Sequence, residues 1–205
     1  MKHSATSMKT WENCPRLFKA KYIDKIIPWV PSEASERGIK IHAELEEAVK
    51  TGAEPSVWTP KGLVQQLHKA KAVTEGEMAV DENLHPVPYK SPKAWLRGII
   101  DVRVVRKARA LVVDWKTGKV RPDKIQADVY TTLIQATENV EKVDFRLVYV
   151  DQKQVVDLTR DTKSPYRVKL LAEKIEADQD YLPQPGWLCR FCDFTACRYN
   201  EKKGA

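Results

Sequence analysis

The sequence predicts a mixed α/β (α+β) domain, and three observations predict it. Alternating apolar residues mark strands over 75–81, 94–105, 110–116 and 143–151. Apolar residues three and four apart mark helices over 35–50, 61–73, 123–138 and 166–181, so the strands are bracketed and separated by helices. At 205 residues the chain suits one domain with its own hydrophobic core. Lys and Arg total 35 against 28 Asp and Glu, a net charge of +7, which favours an anionic partner such as nucleic acid. No apolar run approaches a membrane span, and residues 1–7 lack the apolar centre of a secretory signal, so the expectation is a soluble, cytoplasmic protein that does not enter a membrane. In that compartment the four cysteines are metal ligands or reactive thiols before they are disulfides.

The chain opens with apolar side chains at 8, 11, 18, 22 and 26, interrupted by Pro15. This predicts two short helices with a bend at Cys14 and Pro15, because proline disfavours the helical conformation in the residue before it. Pro28, Pro31 and Ser32 mark a loop. The helix at 35–50 carries Ile39, Ala43, Leu45 and Val49 as its apolar stripe, with His42 inside the stripe and Glu46 one turn beyond. An inward histidine is ordinarily a hydrogen-bonded core residue. The same placement, with a carboxylate at i+4, is also how a helix delivers a metal ligand and its orienting partner. Turn residues over 52–60 lead to the helix at 61–73, with Leu63, Leu67 and Ala70 inward.

In the strand at 94–105, Ile100, Val102 and Val104 alternate with Ile99, Asp101 and Arg103. Asp101 is thus an acid in a strand that otherwise reads as buried, where a carboxylate is costly unless paired or metal-bound. The next strand has Val112, Asp114 and Lys116 on one face and Leu111, Val113 and Trp115 on the other, so an anion and a cation stand side by side at its exit, before Thr117 and Gly118. Alone, such a pair is an ordinary solvated strand end. An antiparallel hairpin of the two strands brings Asp101 toward Asp114. The helix at 123–138 presents Ile125, Val129, Leu133 and Ala136 to the core and carries Gln126 and Tyr130 together on another face, which reads equally well as its wet side. A strand at 143–151 and a helix at 166–181, stopped by Pro183 and Pro185, complete the elements.

The ordered set Gly38-x3-His42, Gly98-x2-Asp101, Asp114-Trp115-Lys116-Thr117-Gly118 and Gln126-x3-Tyr130 resembles the RecB-like branch of the PD-(D/E)XK nuclease superfamily. Cys14 before Pro15, followed far downstream by Cys189-x2-Cys192-x4-Cys197, resembles its iron–sulfur members, the AddB-type nucleases and the four-cysteine CRISPR-associated exonucleases. The resemblance implies a restriction-endonuclease-like core, a central mixed sheet flanked by helices. It implies a metal-dependent DNA nuclease, an exonuclease on single strands or ends, using Mn or Mg. Asp101, Asp114, His42 and the Trp115 carbonyl would hold the ion, since hard oxygen donors suit either metal and an imidazole favours manganese. Lys116 would orient or deprotonate the attacking water and offset phosphate charge, while Gln126 and Tyr130 would position substrate or brace the lysine. The family's second acid is often Glu; here it is Asp. Glu77, on the preceding strand, is a further acid of interest.

The one-plus-three cysteine arrangement suits a [4Fe-4S] cluster as well as or better than zinc. Such a cluster would clip residues 1–27 to 183–205 around a core of 28–182 within a single domain. Arg190, Arg198, Lys202 and Lys203 nearby would meet backbone phosphates or remain solvated. Protein partners in repair, recombination or CRISPR adaptation fit the resemblance, in a prokaryotic or virus-encoded setting. The alternative is a DNA-binding structural or adaptor protein that keeps the fold without cutting.

Overall fold

The computed structural model describes residues 1–28 and 30–202. Its centre is a five-stranded mixed sheet of β1 (Val73–Val80), β2 (Leu96–Arg106), β3 (Arg109–Lys116), β4 (Lys142–Tyr149) and β5 (Gln154–Asp157), in that spatial order. β1, β2 and β3 pair antiparallel, β4 runs parallel to β3, and β5 returns antiparallel on the edge. A parallel neighbour needs a long crossover, and α5 (Lys124–Thr137) supplies it. The α/β class and the hairpin of β2 and β3 are as expected. β5 was not anticipated, being four residues long and too short to show a period.

Side chains on the two faces of the sheet sort into two cores. Ala110, Val112, Phe145 and Leu147 pack beneath α1 (Ala5–Asn13), α5 and α6 (Ser164–Ala177). Val113, Trp115 and Val148 pack beneath α3 (Glu33–Thr51) and α4 (Leu63–Lys69). The expected division of β3 therefore holds, with Val112 and Val113 on opposite faces.

α1 starts in a capping box between Ser4 and Ser7 and stops at Cys14, whose extended backbone precedes Pro15. α2 (Pro15–Phe18) follows and runs on into a π-helical turn over Lys19–Ile23, so the expected bend is present. α3 is capped by Ser32 and Ser35 and ends at Gly52, in the left-handed region at φ 77°. Its buried stripe is Ile41, Leu45, Ala48 and Val49, which corrects the expected one: Ile39 is 59% exposed and Ala43 also faces solvent. The actual stripe follows i, i+4, i+7, i+8, and Ile39 borders an open groove instead of the core.

The sheet forks where the acids lie. Pairing between β2 and β3 runs from Arg106 with Arg109 to Val102 with Val113 and goes no further. Before Val102, β2 pairs with β1; after Val113, β3 pairs with β4. Asp101 and Asp114 are the next residues in register, at the mouth of the fork. Alternation also breaks here: Ile100 belongs to the α5 side and Val102 to the α3 side, while Glu75 on β1 sits at φ 47° and has no ladder partner. A left-handed residue inside a strand costs energy and reorients its neighbours, and here it stands directly across from Asp101.

Candidate active site

Because the fork opens both faces, side chains from helices on opposite sides of the sheet meet in it. Asp101 is 9% exposed and Asp114 only 1%. Asp101 Oδ2 accepts the Trp115 N–H at 2.8 Å, a donor left over where β3 parts from β2, and lies 3.4 Å from His42 Nδ1 on α3. From the other side, Gln126 Nε2 on α5 donates to Asp114 Oδ1 at 2.7 Å. Lys116 Nζ stands 2.6 Å from Asp114 Oδ2, a close ion pair at the exit of the strand. Tyr130 is buried, and its hydroxyl meets Gln126. A chain of contacts thus runs from Tyr130 through Gln126 to Asp114 and Lys116.

The electrostatics follow from burial and crowding. Burial raises the Asp101 carboxyl well above the ordinary carboxylate range, and the charge of Asp114 pushes the same way, against the pull of the Trp115 N–H and Lys116. Burial alone lowers the Lys116 ammonium, but the charge and hydrogen bonding of Asp114 reverse this and hold it above the usual lysine value. His42 is lowered, first by burial and then by Lys116, with Asp114 and a backbone hydrogen bond to Trp115 opposing. Burial raises the Tyr130 phenol, with Asp114 adding to it, so its hydroxyl stays protonated.

One acid beside these residues was not singled out in the sequence. His42, Glu75 and Asp101 place ligand atoms within 4.8 Å of one another. Glu77, singled out in the sequence instead, is solvent-exposed opposite Ile99 and lies away from this group. Regular alternation puts both glutamates on the same side of β1, and only the left-handed turn at Glu75 separates them. Burial raises the Glu75 carboxyl, and Glu46 and Asp114 add to the effect. A groove of about 470 Å³, bordered by Gly38, His42, Glu46, Glu75 and Thr117, reaches two of the three, His42 and Glu75, with Asp101 buried behind them.

The donor set fits a divalent cation. One imidazole nitrogen and carboxylate oxygens converge, and Asp101 carries an unfavourable like-charge neighbour. Asp114 is not among these three. Asp114 is engaged by Lys116 and Gln126, while Glu75 is in the tight group of three.

The cysteines also come together. Cys14, Cys189, Cys192 and Cys197 all line one pocket of about 220 Å³, and none is in a disulfide. Burial raises the Cys192 thiol, and Cys14, Cys197 and Cys189 each push it further, while a Phe194 backbone hydrogen bond pulls it down. The Gly186 N–H lies 3.5 Å from Cys189 Sγ. Backbone donors aimed at sulfur and a shared pocket are features that suit thiolates gathered around a metal or cluster. Asn200 fixes the tail by donating to the Cys192 and Phe194 carbonyls, both at 2.9 Å. Arg190 is paired with Glu201 and Lys202 with Asp193, Arg198 lies over the Tyr199 ring, and Lys203 lies outside the described residues.

A family model described as PD-(D/E)XK nuclease superfamily matches residues 2–197. No curated protein shows a sequence match to the chain. Among solved structures, "Crystal structure of SSO0001" superposes with a TM-score of 0.63 at 19% identity, covering 97% of this chain and 87% of that one, a likeness of fold. No helix among the described residues is long and apolar enough to cross a membrane.

Proposed function

The chain belongs to the PD-(D/E)XK nuclease superfamily, whose members hydrolyse phosphodiesters with divalent metal, and from that premise we propose that it is a deoxyribonuclease acting on single strands or DNA ends, exonucleolytic in mode. The observation that carries the reading is the fork, where His42, Glu75 and Asp101 converge beside the ion pair of Asp114 and Lys116. His42, Asp101 and Glu75 would hold the ion, with Asp114 and the Trp115 carbonyl beside them. A bound Mg or Mn ion supplies Lewis-acid polarisation of the phosphate and a more acidic water. Lys116 contributes a cation within reach of the same phosphate, offsetting charge that grows in the transition state and orienting the attacking water. Gln126 holds Asp114 in place, and Tyr130 holds Gln126.

The cysteine lobe is read as a [4Fe-4S] site, with zinc as the competing occupant, clasping the two chain ends within one domain spanning 1–205. This rests on the one-plus-three spacing and on the shared pocket. The RecB-like branch and its iron–sulfur members remain the relatives the motif order favours, with repair, recombination or CRISPR adaptation as the settings in which protein partners are to be sought.

Cleavage of 5′- and 3′-labelled single strands and duplexes with Mn or Mg tests the activity. Metal-dependent release of end nucleotides is expected from the wild type. Lys116→Ala and Asp114→Ala should each lose at least about a hundredfold in rate, as removal of a transition-state charge partner does. Undiminished cleavage by either variant sinks the assignment.

A further inference from the structure

Resting on the nuclease reading, we infer that Trp187 and Phe191, together with Arg121, form a stacking platform for unpaired bases of a single strand leading to the fork. The two rings stand at either end of the 3-10 turn Trp187–Phe191, with centroids 6.2 Å apart at an interplanar angle of 72°. Both are large, apolar and open to solvent, Trp187 at 57% and Phe191 at 66% exposure. A single exposed aromatic is unremarkable in a folded protein; an adjacent pair carrying a cation calls for an occupant.

The position of the cation selects that occupant. The Arg121 guanidinium lies 5.1 Å from the Trp187 ring centroid. Arg121 belongs to the loop that leaves the Asp114–Lys116 strand, and its backbone N–H donates to Tyr149 Oη at 3.1 Å. Tyr149 on β4 stands in register beside Lys116 on β3. The platform is therefore joined to the ion pair through one arginine and one tyrosine. The same loop exposes Lys119, the helix that follows it opens with exposed Lys124, and the loop's one acid, Asp123, is already paired with Lys9.

An indole with a guanidinium at its face, on a segment that also exposes lysines, matches a strand that offers a base and a phosphate in turn. Duplex bases are stacked on each other and cannot use such a ring. A protein partner would bury the rings as well, but it has no need of a guanidinium at the indole face with exposed lysines on the same segment.

The test uses the full chain in metal-free buffer, so that binding is read without cleavage. Anisotropy of a labelled single strand, the same strand with abasic positions, and a duplex of equal length is compared for the wild type, Trp187→Ala, Trp187→Phe and Arg121→Ala. Loss of one base stack corresponds to about tenfold weaker binding. Trp187→Ala should show that loss on the normal single strand alone, and Trp187→Phe should restore most of it. Arg121→Ala should lower the salt slope by about one on every ligand. A second reading needs no variant: a 5-iodouracil strand should photo-crosslink to the peptide containing Trp187.

Equal affinity of Trp187→Ala and wild type for the normal strand, an equal loss on the abasic strand, or cross-links confined to other peptides overturns the inference. Equal DNA affinity accompanied by a changed oligomeric state would point to a protein partner, again overturning it. Cleavage that persists while Trp187 proves irrelevant to binding refutes the platform alone. Trp187-dependent binding without any cleavage refutes the nuclease reading and leaves the platform standing.

Discussion

At the scale of single residues, the acid at 75 separates metal binding from fold maintenance most cleanly. Glu75 is in the group of three ligand atoms but makes no hydrogen bond that holds the sheet together among the described residues. Replacing it by Gln keeps the shape and removes the charge. Glu75→Gln should therefore weaken Mn binding by roughly 10- to 100-fold, the range seen when a supporting ligand is lost, with little change in melting temperature. Isothermal titration with Mn and a thermal melt check both halves.

A second residue, far from the fork, governs acid stability. His3 is buried at 1% exposure, its Nε2 is 2.7 Å from Glu176 Oε1, and its Nδ1 has no partner. Burial holds His3 below its ordinary value of 6.5, with Glu176 only partly opposing, so the contact is a hydrogen bond from neutral imidazole rather than an ion pair. Burial alone would raise Glu176, but hydrogen bonds from His3 and Trp95 bring it below 4.5. The unfolded chain then binds more protons than the folded one once pH drops below about 6.5, and stability falls with pH. The histidine contribution is complete above 6.5 and lost as pH falls through the depressed value; that of Glu176 is lost below about 4.5. The wild type should melt progressively lower from pH 7 to pH 5, and His3→Gln should flatten that part of the profile.

At the scale of elements, the approach of α5 to β2 decides whether Gln126 reaches Asp114. Gly98 is where they touch: a Cβ added there would lie 2.9 Å from Tyr130 Cε1 and 3.1 Å from Leu133 Cδ1. Both belong to α5, so the helix as a whole must yield. Gly98→Ala should cost about 1–3 kcal/mol as an overpacked contact. It should also slow cleavage by displacing Tyr130 from Gln126. Chemical denaturation and a rate measurement on the same preparation distinguish this from simple unfolding.

A clamp on the opposite side involves α3. Arg37 makes a two-pronged contact with Asp151, at 2.9 and 2.6 Å, and Asp151 Oδ2 also accepts the Gly118 N–H at 2.8 Å. Gly118, at φ 85°, turns the chain after Lys116 as no residue with a side chain does readily. The helix bearing His42 is thereby tied to the turn that follows the lysine.

At the scale of the whole molecule, the ends of the chain are held in two places. His3 adds a bridge beside Leu96, and Cys14 faces the three cysteines of the tail across one pocket. If those thiols hold a cluster, losing one of them removes a cross-link between segments far apart in sequence. Cys14→Ser should abolish the brown colour and visible absorption of anaerobically purified protein and lower its melting temperature. A colourless wild type with stoichiometric zinc would instead assign the site to zinc.

The mixed α/β class, the pairing of the two acid-bearing strands, the inward His42 and the shared face of Gln126 and Tyr130 were all legible in the sequence, because period and spacing report which side of an element a residue occupies. So was the bend at Pro15. The stripe of α3 was misread because apolar residues also line a groove, and hydrophobicity does not say whether a neighbour covers it. Glu75 was invisible for a different reason. Its place depends on a left-handed backbone turn and on two strands parting at Asp101, and neither leaves a periodic trace. The sequence by itself determined which chemical groups the chain brings and the face on which each stands. Only the tertiary structure decided which of them share a point in space, because ligand convergence depends on where pairing stops, and that is settled by packing on both faces of the sheet at once.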